Sequence, residues 1–310
     1  MSPSLSVPGL IPIAVGVAVV VSSYVIYHFY FDKKTRKGPR ILLEDPNHRY
    51  AISLRRRYEI NHNTKVFQFS LPEKDMILGL PIGQHVNLSA IVGGDLISRS
   101  YTPVSVDYNC KGIVEFVIKI YEKNPPKFPN GGKFTLYLNQ IRSGTQLWIR
   151  GPLGKIKYID RSTFAIQATA KSKAQIHKVK KVNMIAGGTG ITPMYQIIMQ
   201  ICNDNEDTTL VSLIHANQTT GDIILDDEIT EFANINGDQF KLYYTVDTTE
   251  GSEQWPYGVG YVNEDMIREN LYPPEEGTIT LMCGPPPMIQ KACIPNLLKL
   301  GYPENTIFTF

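Results

Sequence analysis

The chain has 310 residues, of which 43% are hydrophobic and 19% charged, with a formal net charge of +2. That length leaves room for two domains with separate cores, and so small a charge with no nucleic-acid-binding motif sets that class of partner aside. The four cysteines (Cys110, Cys202, Cys283, Cys293) are widely spaced, with no C-x-x-C pair and no His at metal-ligand spacing, so neither a disulfide framework nor a metal site is expected.

From Val7 to Phe31 there is no Lys, Arg, Asp or Glu, and IPIAVGVAVVVSSYVIYHFYF is almost continuously apolar. About 20 such residues span a hydrocarbon core of ~30 Å as a helix, so about 25 span it with some tilt. The run ends in Tyr24, Tyr27, Phe29, Tyr30 and Phe31, and Lys33, Lys34, Arg36, Lys37 and Arg40 follow at once. Interfacial aromatics with a basic flank predict an uncleaved transmembrane helix with everything after residue 40 on the cytosolic side. A cleavable signal peptide wants a positive leader and a small-residue cut site, and neither is clear. Residues 1–40 therefore read as anchor and linker.

From about Tyr50 to Tyr158 short alternating runs such as KVFQFSL, HVNLSAIV, IVEFVIKIY and TQLWIRG are separated by Gly, Pro and Asn turns. This spacing predicts a small antiparallel β-barrel, interrupted by one helical stretch, GGKFTLYLNQI. After a polar stretch at 160–178 the texture changes. VNMIAGG, TLVSLIHAN, FKLYYTVD and TITLMCG are continuous apolar runs, alternating with the helix-like TPMYQIIMQICN, ILDDEITEFANI, NEDMIRENL and PMIQKACIPNLLKL. Strands buried on both faces that alternate with helices predict an α/β parallel sheet. The expected domains are 41–165 and 166–310.

Four constellations carry chemistry. In MIAGGTGITPM (184–194) a strand runs into Gly187-Gly188-Thr189-Gly190, with Thr192 expected as helix N-cap and Pro193 as first helical residue; free N–H groups there suit a pyrophosphate. In RSYTPVS (99–105), Arg99 offers a fork of donors to a diphosphate, Tyr101 a flat ring and hydroxyl, and Thr102 a short polar group ahead of Pro103. In LMCGPPPMIQKAC (281–293), Cys283 ends a parallel strand, where α/β sheets bind ligands. Asp247 ends FKLYYTVD, where a carboxylate can accept from a ribose 2′-OH and repel a 2′-phosphate.

Together these pieces resemble the ferredoxin–NADP reductase superfamily and, within it, NADH–cytochrome b5 reductases. The stretches that carry the resemblance are LGLPIGQHVNLSA, SRSYTPVS, VIKIY, PKFPNGGKFTLYL, IAGGTGITPM, HANQT, FKLYYTVD, GYVNEDMIRE, LMCGPPPMIQ and the final Phe310. The resemblance implies a ferredoxin reductase-like fold, a β-barrel FAD domain followed by an α/β NADH domain, with FAD and NADH as cofactors. It implies that Arg99 holds the FAD pyrophosphate, that Tyr101 and Thr102 contact the isoalloxazine and its ribityl side with Ser100 among the cofactor-binding residues, and that the Val117 backbone and the Lys119 side chain border the flavin and nicotinamide. Gly132, Lys133, Phe134 and Thr135 are implied to cradle the FAD phosphates. Thr192 would reach the flavin, Gly188 and Thr189 would lie along NADH, and Asp247 would set the preference for it. Cys283, Gly284 and Pro285 would sit by the nicotinamide, and Phe310 would be among the cofactor-binding residues. Thr102, Lys119 and Cys283 are the residues expected to act nearest the chemistry, and no metal is called for.

Cytochrome b5 is the implied acceptor, steered by a basic surface for which Lys133, Lys155, Lys171 and Lys173 are candidates. A quinone or ferric chelate as acceptor, or a non-catalytic flavin-binding redox sensor, are the competing readings. The implied location is the endoplasmic reticulum or outer mitochondrial membrane. Two departures stand out: the family commonly has Pro where this chain has Ser100, and an aromatic where it has Glu122. No general base is required, and none of the six histidines is expected to serve the site.

Overall fold

The computed structural model describes residues 21–24, 27, 38–105, 110–126, 129–169, 171–249, 251 and 254–310. Apart from residues 21–24 and 27, the expected membrane span at 7–31 lies outside them. Among the described residues no helix is long and apolar enough to cross a membrane. Ile41–Phe310 form one unit.

The first sheet has six strands: β1 (Tyr50–Asn61), β2 (Thr64–Ser70), β3 (His85–Val92), β4 (Asp95–Tyr101), β5 (Ile113–Lys119) and β6 (Gln146–Leu153). They pair antiparallel in the order β4-β3-β6-β1-β2-β5. Beyond β4 the chain crosses to β5, where the Val104 N–H donates to the Glu115 carbonyl at 2.9 Å. The strand period of two turns Phe67, Phe69, Leu88, Phe116 and Ile149 into one core. Helix α1 (Lys133–Gln140) adds Phe134 and Leu138 to it. Each such side chain stabilises the fold by ~1.5–3 kcal/mol when fully buried.

The second sheet has the strands β10 (Lys181–Gly187), β11 (Leu210–Asn217), β12 (Phe240–Val246), β13 (Gly258–Val259), β14 (Thr278–Cys283) and β15 (Ile307–Thr309). It is parallel throughout, in the order β13-β12-β11-β10-β14-β15. Its helices are α2 (Ile191–Cys202), α3 (Asp226–Ile235), α4 (Glu264–Asn270) and a run from Pro286 to Lys299 with a π-turn at Ile289–Cys293. The continuous burial of β10 after Lys181 follows from helices covering both faces. The polar stretch at 160–178 is not a plain linker. Its residues supply β8 (Thr163–Ile166) and β9 (Gln175–Lys178), which join β7 (Ile156–Asp160) in a three-stranded antiparallel sheet. That sheet straddles residue 165. One core cluster runs across the seam, joining Val66 and Val117 of the barrel to Met194, Ile197 and Ile198 of α2.

Candidate functional site

The carboxyl edge of the parallel sheet is built by backbone pressed against backbone. β10 ends at Gly187, Gly188–Gly190 make one 3-10 turn, and α2 begins at Ile191. The helix starts earlier than the sequence suggests. Its N-cap is Gly190 with no side-chain cap, and the buried Thr192 instead donates its hydroxyl to the Thr189 carbonyl at 3.1 Å. A Cβ on Gly190 would lie 2.1 Å from the Cys283 carbonyl oxygen, and one on Gly284 would lie 3.0 Å from the Gly187 nitrogen. Only glycine permits so close an approach. Gly188 is the opposite case: its φ is +52° and a Cβ there would meet nothing within 4 Å.

Around this turn, Cys283 is half-buried and burial pushes its thiol up to about 11, so it stays protonated at neutral pH. Pro285 packs beside Gly187. The Phe310 N–H donates to the Met282 carbonyl at 3.1 Å, and its ring joins the same core as Cys283. Asp247 follows β12, its N–H donating to the Asn217 carbonyl at 3.0 Å.

The barrel edge is built from side chains. β4 is an outer strand, and Ser98, Arg99 and Ser100 on it are exposed. Arg99 Nη1 donates to the Ser98 carbonyl at 2.8 Å. Ser100, in the place where proline is common, donates its hydroxyl to Asn87 Oδ1 at 2.9 Å and so stays tied to β3. The Tyr101 ring stacks on Phe134 at 6.1 Å and meets Phe116 edge-on. Burial raises its phenol above the ordinary range, so the hydroxyl remains a hydrogen-bonding group. Phe134 itself is a core residue, 1% exposed. Gly132 is held by its N–H donating to the Tyr121 carbonyl at 2.8 Å, while Thr135 Oγ1 accepts from the Tyr121 N–H at 3.2 Å. Lys133 pairs with Asp95 at 2.7 Å on the surface.

Two links bring these edges together. Buried Gln196 on α2 donates through Nε2 to the Pro103 carbonyl at 3.0 Å, and its Oε1 accepts from the Gly83 N–H at 3.2 Å. The second link joins β5 to the segment after β11: Lys119 Nζ donates to Asp222 Oδ1 at 2.8 Å. Asn63 and Thr219 also donate to Asp222. Burial alone would raise the Asp222 carboxyl, but the bonds and charge of Lys119 and the bond from Asn63 outweigh it and hold it at about 2.

Two family models match: an oxidoreductase FAD-binding domain over residues 51–158 and an oxidoreductase NAD-binding domain over residues 184–293. The chain is 49% identical over 278 residues to NADH-cytochrome b5 reductase 2 of Xenopus tropicalis, covering 89% of this chain and 90% of that one. It is 47% identical over 286 residues to NADH-cytochrome b5 reductase 3 of Rattus norvegicus, covering 92% and 94%. The chain belongs to the NADH–cytochrome b5 reductase family. Among solved structures, the cytochrome b5 reductase domain of Ulva prolifera nitrate reductase superposes with a TM-score of 0.80 at 36% identity, over 88% of this chain and all of that one. The fold is ferredoxin reductase-like, and the protein is an NADH-dependent FAD oxidoreductase.

The residues present fit the two groups that a cytochrome b5 reductase carries. The first turn of α1 has no side-chain cap and no acidic residue, so its N–H groups, with exposed Arg99, form a donor set suited to a diphosphate. At the other edge, the Asn217 side chain is 7% exposed, yet neither its Nδ2 nor its Oδ1 has a hydrogen-bond partner among the described residues. A buried carboxamide left unpaired beside a glycine turn fits a polar ligand at the carboxyl end of the sheet. Gln196 and Asp222 lie outside every stretch that carries the resemblance, and His215 and Asn217 lie in HANQT, which carries it but assigns them no role; the bonds of Gln196, Asp222 and His215 at this edge form only through the fold.

Proposed function

We propose that the chain takes a hydride from NADH and delivers single electrons to cytochrome b5, the acceptor named for its relatives. The observation that carries the reading is Gln196, which holds the Thr102-Pro103 end of the barrel edge against the helix that starts at the glycine turn. Bound FAD supplies the conversion between a two-electron donor and a one-electron acceptor. The protein's contribution is placement. Arg99 and the α1 amides hold the diphosphate beside Gly132, Lys133 and Thr135, Tyr101 and Thr102 line the ring with Ser100 bracing the strand, and Thr192 reaches it from α2. Val117 and Lys119 form the floor shared with the nicotinamide. Gly188 and Thr189 run along NADH, Cys283, Gly284 and Pro285 bound the nicotinamide with Phe310 behind them, and Asp247 selects NADH over NADPH.

The same reading divides the chain at residues 40 and 165, with 1–40 as anchor and linker, and tethers it by the apolar segment 7–31 to the cytosolic face of the endoplasmic reticulum or outer mitochondrial membrane. Exposed Lys155, Lys171 and Lys173 suit the approach of an acidic partner. Lys133 already pairs with Asp95. The test is a visible spectrum of the full chain in detergent, followed by one equivalent of NADH and then excess cytochrome b5. Bleaching by NADH, weak bleaching by NADPH and fast cytochrome reduction are expected. A colourless protein that cannot be loaded with FAD overturns the reading, and bleaching without cytochrome reduction moves the acceptor to a quinone or ferric chelate.

A further inference from the structure

His215 sits on β11 with no solvent exposure. Its Nε2 lies 3.3 Å from the Gly188 carbonyl oxygen, and its Nδ1 has no partner among the described residues. A carbonyl only accepts, so the proton is on Nε2 and the ring is the Nε2–H tautomer. Burial lowers the imidazole to about 4 against smaller upward pulls from the Gly188 bond and Asp226. The groups that face it are the Tyr244 ring of β12, 5.8 Å away, and Asp226 of α3, which accepts from the Tyr244 hydroxyl at 2.6 Å.

The Gly188 carbonyl has a second donor, the Ile191 N–H. With two donors on that oxygen, the 188–189 peptide plane is fixed. In a trans peptide, the Thr189 N–H then points opposite to the carbonyl, away from the buried ring. Gly188 occupies the left-handed region at φ +52°, where the backbone alone does not choose between peptide orientations. One hydrogen bond from the core supplies that choice.

We propose that His215 is a positioning residue for the dinucleotide. Its neutral Nε2–H holds the Gly188 peptide, so that the Thr189 N–H is presented to the donor's phosphates without reorganisation. This rests on the reading that residues 188–189 run along NADH.

The experiment uses the full-length, FAD-loaded protein. NAD+ affinity is measured by calorimetry, and flavin reduction by NADH is followed by stopped flow to separate the Kd from the limiting rate. His215→Phe keeps a ring but removes the donor, and should weaken both affinities about threefold to tenfold while the limiting rate stays within about twofold. His215→Gln places an amide N–H near the position of Nε2 and should recover most of the loss. Unchanged affinity in His215→Phe, or a limiting rate that falls while affinity holds, overturns the proposal. Gly188→Ala reports on the underlying reading. If it leaves NAD+ affinity intact, the turn is not the donor site; if it weakens affinity and His215→Phe does not, only the histidine's role falls. Should His215→Phe fail to fold, 15N spectra of the unmodified protein decide. A neutral Nε2–H tautomer from pH 5.5 to 8 is expected, and an Nδ1–H tautomer or a titrating ring refutes the assignment.

Discussion

The two edges that meet in this protein are made in different ways. At the sheet edge the contacts that shape the site are main chain on main chain: Gly190 lies against the Cys283 carbonyl, Gly284 against Gly187, and Pro285 against Gly187. At the barrel edge Arg99 stands in solvent on an outer strand and Lys133 in solvent at the start of α1, and among the described residues they bond to the neighbouring Ser98 carbonyl and to exposed Asp95. A surface made of backbone has its shape set when the fold closes, whereas a surface made of exposed side chains takes its final shape with the ligand. Substitutions at the first edge should therefore act on folding and binding together, and those at the second on binding alone.

The largest effect tests the first half of that contrast. Gly190→Ala places a methyl 2.1 Å from the backbone carbonyl oxygen of Cys283, so the start of α2 must move away from the end of β14. A loss of about 3 kcal/mol in urea unfolding is expected, with NADH binding lost alongside. Gly188→Ala, two residues away, meets nothing within 4 Å and carries only the left-handed backbone penalty of ~1 kcal/mol. Equal losses from the two would show that packing against Cys283 does not set this edge.

The seam between the edges comes next. Asp222 is 6% exposed in its side chain and Lys119 20%, so the pair is screened less than a surface bridge. The Asp222 carboxyl lies at about 2, below its ordinary 3.8. A group depressed in the folded state contributes stability above its unfolded value and loses it as pH falls through the folded one. The contribution is about 2 kcal/mol at neutral pH and should vanish between about pH 4 and pH 2. Asp222→Asn should be less stable by that amount at pH 7 and equal to the parent at pH 2. A constant difference over the whole range would mean that the packing of Asn63 and Thr219, not the charge, joins the two edges.

How far these features could be read in advance depends on how local they are. β10 and the barrel strands announce themselves because burial on two faces, or on one, leaves a period in the chain. The glycine turn is visible for the same reason: its residues and their consequence lie within a few positions. The three-stranded sheet was hidden because β9 is four residues long and three of them are exposed, so its apolar pattern is too weak to distinguish from a loop. Thr192 misled because it is a good N-cap by composition, but Gly190 already has helical dihedrals and the hydroxyl turns back to Thr189. Asp222 and Gln196 meet Lys119 and Pro103 across 103 and 93 residues. His215 reaches Gly188 over 27 residues, one strand away in a parallel sheet. Nothing in the sequence near those three residues records the partner.

The smallest effect on stability tests the second half of the contrast. Arg99→Gln removes a guanidinium that is exposed and, among the described residues, bonded to its neighbour's carbonyl. Stability of the protein stripped of FAD should change by less than about 0.5 kcal/mol. FAD affinity should fall by about tenfold to a hundredfold, the worth of a charge-assisted hydrogen bond to a phosphate group, read from the released flavin's fluorescence. The loss should grow smaller at high salt, since an exposed cation is screened. A marked destabilisation of the FAD-free protein would mean that Arg99 holds β4 in place, and that the barrel edge, like the sheet edge, is set by the fold before any ligand arrives.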